Sequence, residues 1–176
     1  FFALMTIVML QVHELRSDYW LLPLIFSGIT LTLYFASKRL LHKEELFAEI
    51  MLGKSALLAT LAIMTFKEIA EYRGLLLAAE SVTILFFGLR TKNRLLQWAS
   101  ALVAGVGVVF VLQVFYETVK ATHGDYYAPT LRLGIFFSLL MLLAGIVAEK
   151  WKNGRNEYDP VSMLPNFFTV IGFGIA

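Results

Sequence analysis

The feature that most constrains this chain is a series of apolar runs, each long enough or nearly long enough to cross a lipid bilayer. The runs cover residues 20–36, 46–66, 74–89, 95–115 and 133–148. About 20 apolar residues at about 1.5 Å rise match the roughly 30 Å hydrocarbon core of a membrane. A spanning segment must satisfy its backbone hydrogen bonds internally, which favours helices. The sequence therefore predicts an all-α, polytopic transmembrane helical bundle with five full spans.

Composition supports lipid as the solvent and excludes several classes of function. Hydrophobic residues make up 59% of the chain and charged residues 16%, against about 45–50% and 25% in soluble domains. The run 95–115 carries only Gln97, Ser100 and Gln113 as polar side chains, so it has no polar face. The net charge of +2 indicates no nucleic-acid partner. The absence of cysteine excludes disulfides, thiolate metal sites and cysteine nucleophiles. We expect the lipid bilayer as a partner and no cofactor.

Both ends of the chain resemble interrupted spans. Residues 1–12 are apolar but lack the basic region of a signal peptide, and the apolar run 167–176 reaches the last residue. We therefore expect a truncated span at each end. On this interpretation residues 1–176 form a single membrane-embedded module, a fragment of a larger multi-span protein whose remaining transmembrane helices are its partners. The sequence gives no oligomeric state.

Basic residues alternate between successive loops, which predicts the orientation of the spans. The loops 37–45, 90–94 and 149–159 carry nine of the fifteen Lys and Arg residues. The loops 13–19, 67–73 and 117–132 carry five, and Lys54 lies within a span. Because cytoplasmic loops carry an excess of Lys and Arg, we place the first set in the cytoplasm and expect a multi-pass protein of the plasma (inner) membrane.

Glu80 and Lys54 are the charged side chains that the apolar runs accommodate least easily. Glu80 lies about 9 Å from the outer end and about 13 Å from the inner end of its predicted helix, and Lys54 about 12 Å from the inner end of the preceding, antiparallel one. The two are therefore expected at similar depth, where an ion pair would offset a cost of about 2.5–3.5 kcal/mol for each charge. One interpretation is a structural clamp between helices. The other is a proton or substrate pathway in a carrier or flippase.

Small residues recur at helical spacing in two of the runs. Gly74 and Ala78 form one pair four residues apart, and Ala101 and Gly105 form another. Such pairs let two helices approach closely in a membrane. We therefore predict that these four residues lie in helix–helix contacts.

The predicted outer loop 117–132 holds the residues that most resemble a reactive site. His123 and Asp125 are two residues apart, and His13 and Glu14 lie in another outer loop. Two ligands are too few for a metal site, which needs three or four. An envelope enzyme acting on a lipid-linked substrate through these loops stays an alternative, although the chain carries no nucleophile motif. A hydrated turn at His123 is the simpler interpretation.

The stretch 78–113 resembles the repeating helical hairpin of a bacterial membrane family called domain of unknown function 2339. The matching features are an acid in the first helix, Glu80, then the turn Gly88-Leu89-Arg90, the basic Arg94 and a second apolar helix. The later stretch 126–145 resembles the family's next element but has Ala128-Pro129-Thr130-Leu131-Arg132 where the family has an Asn-Pro-Arg-like entry. The resemblance implies a large protein with many spans and implies no activity.

The sequence as a whole favours a non-enzymatic role. No catalytic residue or metal site is predicted. We expect a structural or assembly component of the cell envelope, with the carrier and the envelope enzyme as alternatives.

Overall fold

The computed structural model describes residues 20–40, 45–66, 68–121, 127–152 and 160–175. Nearly all of these residues are helical and none is in a strand, which confirms the all-α prediction. The six helices are α1 (Leu21–Leu40), α2 (Glu45–Thr65), α3 (Arg73–Arg90), α4 (Arg94–Ala121), α5 (Tyr127–Lys152) and α6 (Leu164–Ile175). Short 3-10 helices at Ala70–Tyr72 and Pro160–Met163 precede α3 and α6.

Five of these helices, α1 to α5, are long and apolar enough to cross a membrane. Helix α6 is apolar but shorter. The prolines Pro23, Pro129 and Pro165 each fall within the first three residues of a helix, where a missing N–H costs no intrahelical hydrogen bond. The chain is therefore a multi-pass membrane protein built from helices.

Four of the five spanning helices, α1, α3, α4 and α5, are longer than the apolar runs that predict them. Helix α4 continues to Ala121 and α5 already begins at Tyr127, so most of the predicted loop 117–132 is helical. Likewise α1 continues through Arg39 into the segment 37–45. The loop predictions were too long because hydropathy falls as soon as polar residues appear, whereas a helix continues outside the hydrocarbon core as long as its backbone is hydrogen-bonded.

The chain divides into two compact units, Phe1–Glu68 and Ile69–Ala176. In the first unit α1 packs against α2. The ring of Trp20, just before α1, stacks on Phe66, just after α2, with centroids 3.9 Å apart. The two helices therefore form an antiparallel hairpin. The prediction of one membrane module for the whole chain stays a prediction.

The second unit packs α3 on α4 and α5 on α6, and α3 also contacts α5. Its core contains apolar residues from all four helices, among them Leu85, Ala104, Phe137 and Phe168. Helices α4 and α5 are antiparallel, because Gly107 lies beside Phe137 while Phe115, further along α4, lies beside Gly134. The unit is therefore an up-and-down arrangement of four helices.

Several predicted features lie outside the described residues. These are the truncated span 1–12, the outer-loop residues His13 and Glu14, and the pair His123 and Asp125.

Candidate functional site

A reciprocal pair of serines joins α1 to α2. The Ser27 hydroxyl donates to the backbone carbonyl of Ser55 at 2.9 Å, and the Ser55 hydroxyl donates to the carbonyl of Ser27 at 3.0 Å. The two hydroxyl oxygens are 3.2 Å apart, and both side chains are buried. Each serine hydroxyl therefore donates to a backbone carbonyl of the other helix. The contact fixes the relative height of α1 and α2.

Three polar side chains form a chain of hydrogen bonds between α3 and α4. The Ser81 hydroxyl donates to the carbonyl of Ser100 at 2.8 Å, and the Ser100 hydroxyl donates to the carbonyl of Gln97 at 2.6 Å. The Gln97 side-chain amide then donates to the carbonyl of Gly88 at 2.8 Å. All three side chains are completely buried. The polar groups inside this hairpin are therefore used for helix pairing.

Glycine lets the backbones of α3 and α4 meet near both ends of α3. A Cβ on Gly88 would lie 2.9 Å from the backbone nitrogen of Gln97. A Cβ on Gly74 would lie 3.0 Å from the carbonyl oxygen of Gly107 and 2.5 Å from a methyl group of Val111. Such contacts are shorter than van der Waals packing allows. Only glycine fits these positions without a shift of the neighbouring helix.

The turn between α3 and α4 is closed by hydrogen bonds at both helix ends. The Asn93 N–H donates to the carbonyl of Gly88 and the Lys92 N–H to that of Leu89, which is the Schellman pattern of a helix C-terminus. Lys92 has φ of 56°, a left-handed conformation that is usually adopted by glycine. For a residue other than glycine this conformation costs about 1–2 kcal/mol. The Asn93 side chain then accepts hydrogen bonds from the N–H groups of Leu95 and Leu96 and caps α4.

Glu80 lies at the edge of the buried face of α3. It is the eighth residue of the helix, about 10 Å from its start and about 15 Å from its end. Leu77 and Ile84, on the same side of the helix, are buried. Glu80 itself is half-buried, and its Oε2 atom is fully covered. The carboxyl group therefore occupies the position along its helix that the sequence predicts.

Lys54 is half-buried in α2, next along the chain to Ser55 of the serine pair. It belongs to the first unit and Glu80 to the second, so the predicted ion pair between them stays a prediction.

The predicted small-residue positions differ in their surroundings. Gly74, Ala78 and Ala101 are buried. A Cβ on Gly105 would meet no atom within 4 Å, whereas Gly107, two residues later, lies against Phe137 and the carbonyl of Gly74. The close contact on α4 therefore falls at Gly107 and not at Gly105. Within the described ranges, no group of three or more His, Asp or Glu side chains is placed to hold a metal ion.

Sequence reasoning missed the serine pair and the role of Gly88 in packing. The signal was present, because Ser27, Ser55 and Ser81 are polar residues inside apolar runs. Which of them face one another depends on the register between two helices, and one sequence does not carry that information.

Comparison of the chain with models of protein families, with curated proteins and with solved structures yields no match. The resemblance of residues 78–113 to domain of unknown function 2339 therefore stays a prediction. A function for this chain has to be argued from its own residues.

Proposed function

We propose that the chain is a non-enzymatic structural or assembly module of the cell envelope, embedded in the membrane. The observation that carries this proposal is the use of polar side chains within the spans. Ser27, Ser55, Ser81, Gln97 and Ser100 all direct their hydrogen bonds to the helix backbone, within or between helices. A transport pathway needs polar groups that are available to a substrate. Here Ser27, Ser55, Ser81 and Gln97 instead join one helix to the next.

The decisive comparison separates loss of folded protein from loss of function. Cells that lack the protein are complemented with the full-length protein carrying Glu80→Gln, Gly88→Leu or, as a charge-matched control in the 3-10 helix before α3, Glu71→Gln. Protein level in the membrane and resistance of the cells to detergent are measured together. A structural role predicts that resistance falls only in proportion to protein level, with Gly88→Leu lowest and Glu71→Gln unchanged. Normal level with lost resistance in Glu80→Gln would contradict it.

A carrier or flippase is the second candidate, and Glu80 is the observation that favours it. A half-buried carboxyl group at this depth in a spanning helix is costly, and such residues commonly serve ion or substrate pathways. If Glu80 binds a coupling proton, Glu80→Gln keeps the protein level and abolishes transport or its pH dependence. Lys54→Met tests the predicted pair in the same assay. Under the carrier hypothesis Lys54→Met impairs transport, as Glu80→Gln does.

We further propose that the segments 37–45, 90–94 and 149–159 face the cytoplasm, as their excess of Lys and Arg supports. The chain has no cysteine, so single cysteines can be introduced without removing others. Arg90→Cys and Lys120→Cys place thiols near opposite ends of the α3–α4 hairpin, both at exposed positions. An impermeant thiol reagent added outside intact cells should label only the second. Labelling of Arg90→Cys alone would show that the orientation is opposite to the one proposed.

A further inference from the structure

The α3–α4 turn carries three exposed cationic side chains within five residues. Arg90 ends α3, Lys92 occupies the left-handed position of the turn, and Arg94 begins α4. All three are exposed. The hydrogen-bonded turn described above holds the backbone of this segment in one conformation, so the cations are presented together.

Lys150 adds a fourth cation at the same end of the second unit. The hydroxyl oxygens of Thr118 on α4 and Thr130 on α5 are 3.1 Å apart, and Gly107 lies against Phe137. Residue numbers on α4 therefore fall as those on α5 rise, which brings the start of α4 level with the end of α5. Lys150 is exposed in the last turn of α5. We call Arg90, Lys92, Arg94 and Lys150 the basic end.

Two exposed tryptophans lie close to the basic end. Trp98 is one turn along α4 from Arg94, and Trp151 follows Lys150. Their side chains are 44% and 45% exposed. Tryptophan side chains in this situation lie at the level of the lipid headgroups. We therefore expect the four cations at the height of the lipid phosphates.

The charge of the described residues at this level is unbalanced. Among the described residues 90–98, 148–151 and 162–166, Glu149 is the one carboxylate, which leaves an excess of three positive charges. We propose that the basic end is a binding site for an anionic phospholipid, whose phosphate is held by the Arg and Lys side chains while its acyl chains follow the exposed apolar surface beside Trp98. Arg binds phosphate through paired N–H groups and Lys as a point charge. Basic clusters at the ends of spans are typical of anionic lipid recognition.

Quenching of tryptophan fluorescence by dibrominated lipids measures this binding directly. The full chain carries three tryptophans, and Trp20→Phe leaves only Trp98 and Trp151 as reporters. The protein is placed in phosphatidylcholine vesicles that contain either dibrominated phosphatidylglycerol or dibrominated phosphatidylcholine. We expect the anionic lipid to bind at least about fivefold more tightly, on a contribution of about a factor of five for each nearby cation.

Matched double variants locate the preference. Arg90→Gln with Lys92→Gln removes two charges from the basic end. The ratio of the affinities for phosphatidylglycerol and phosphatidylcholine should then fall towards one. Lys120→Gln with Arg132→Gln removes two exposed charges from the opposite end of the unit and should leave it unchanged. Lys150 lies on α5 and not in the turn, so the smaller decrease expected for Lys150→Gln keeps the test valid if the turn variant folds poorly.

Three results would overturn the proposal. Equal binding of the two lipids would show that the protein has no site selective for anionic lipid. An unchanged preference in the basic-end variants would show that the site lies elsewhere. The third is displacement of phosphatidylglycerol by inorganic phosphate beyond the effect of sodium chloride at equal ionic strength. That result would assign the basic end to a free phosphate and not to a lipid.

Discussion

The α1–α2 and α3–α4 hairpins solve the same problem by different means. In lipid there is no hydrophobic driving force for helices to associate, so their association depends on packing and on hydrogen bonds. The α1–α2 hairpin uses the reciprocal pair Ser27 and Ser55, and its glycines at 28 and 53 have open space around them. The α3–α4 hairpin presses glycine against backbone at Gly74 and Gly88. One hairpin is held by hydroxyl groups, and the other depends also on the absence of side chains.

The largest expected effect comes from adding one methyl group to the α3–α4 contact. Gly88→Ala places a Cβ 2.9 Å from the Gln97 backbone nitrogen, and overpacking of this kind costs about 1–3 kcal/mol. Gly28→Ala and Gly53→Ala in the other hairpin meet no neighbour within 4 Å and should be neutral or gain about 0.5–1 kcal/mol from helix propensity. Unfolding by sodium dodecyl sulfate in mixed micelles measures all three. Equal destabilisation at the three sites would remove the distinction between the hairpins.

The next effect concerns the cap of α4. Asn93→Ala removes the acceptor for the Leu95 and Leu96 N–H groups, which should lower the unfolding free energy by about 1 kcal/mol. Asn93→Asp keeps an acceptor at the cap and serves as the control. The same micelle titration applies, and an Asn93→Ala protein as stable as Asn93→Asp would show that the cap contributes nothing.

A smaller effect is expected from the serines of the first hairpin. Ser27→Ala and Ser55→Ala each remove one hydrogen bond between the helices, and such bonds in membranes are worth about 0.6 kcal/mol on average. Thr32→Ala serves as the control, because the Thr32 hydroxyl donates to the carbonyl of Gly28 within α1 and joins no second helix. A double-mutant cycle gives the coupling of the two serines. Strict additivity would show that the two hydrogen bonds act independently.

An effect of similar size but opposite sign, a gain in stability, is expected at the α3–α4 turn. Lys92→Gly relieves the left-handed strain and should raise the unfolding free energy by about 0.5–1 kcal/mol, while Lys92→Gln keeps the strain and should not. Both variants remove a charge from the basic end, so both should reduce the preference for anionic lipid. A Lys92→Gly protein that is less stable than the parent would mean that the lysine side chain itself stabilises the turn.

The sequence predicted the spans well and the contacts between them poorly. Apolar runs report where a helix lies in lipid, and the five spans of α1 to α5 follow from them. Hydropathy does not report where a helix ends in water, which is why the extensions of α4 and α5 were missed. Register between helices decides that Gly107 and not Gly105 meets α3, and a four-residue spacing rule cannot distinguish them. The depth of Glu80 was predictable, because it depends only on position along one helix.

The three-residue turn between α3 and α4 also has a consequence for the order of assembly during synthesis. Ser81 and Ser100 are only 19 residues apart, so little chain entropy is lost when the two helices pair. Contacts between residues so close along the chain form early. The α3–α4 hairpin can therefore pair before α5 has left the ribosome, and the later helices then pack on a partner that is already formed.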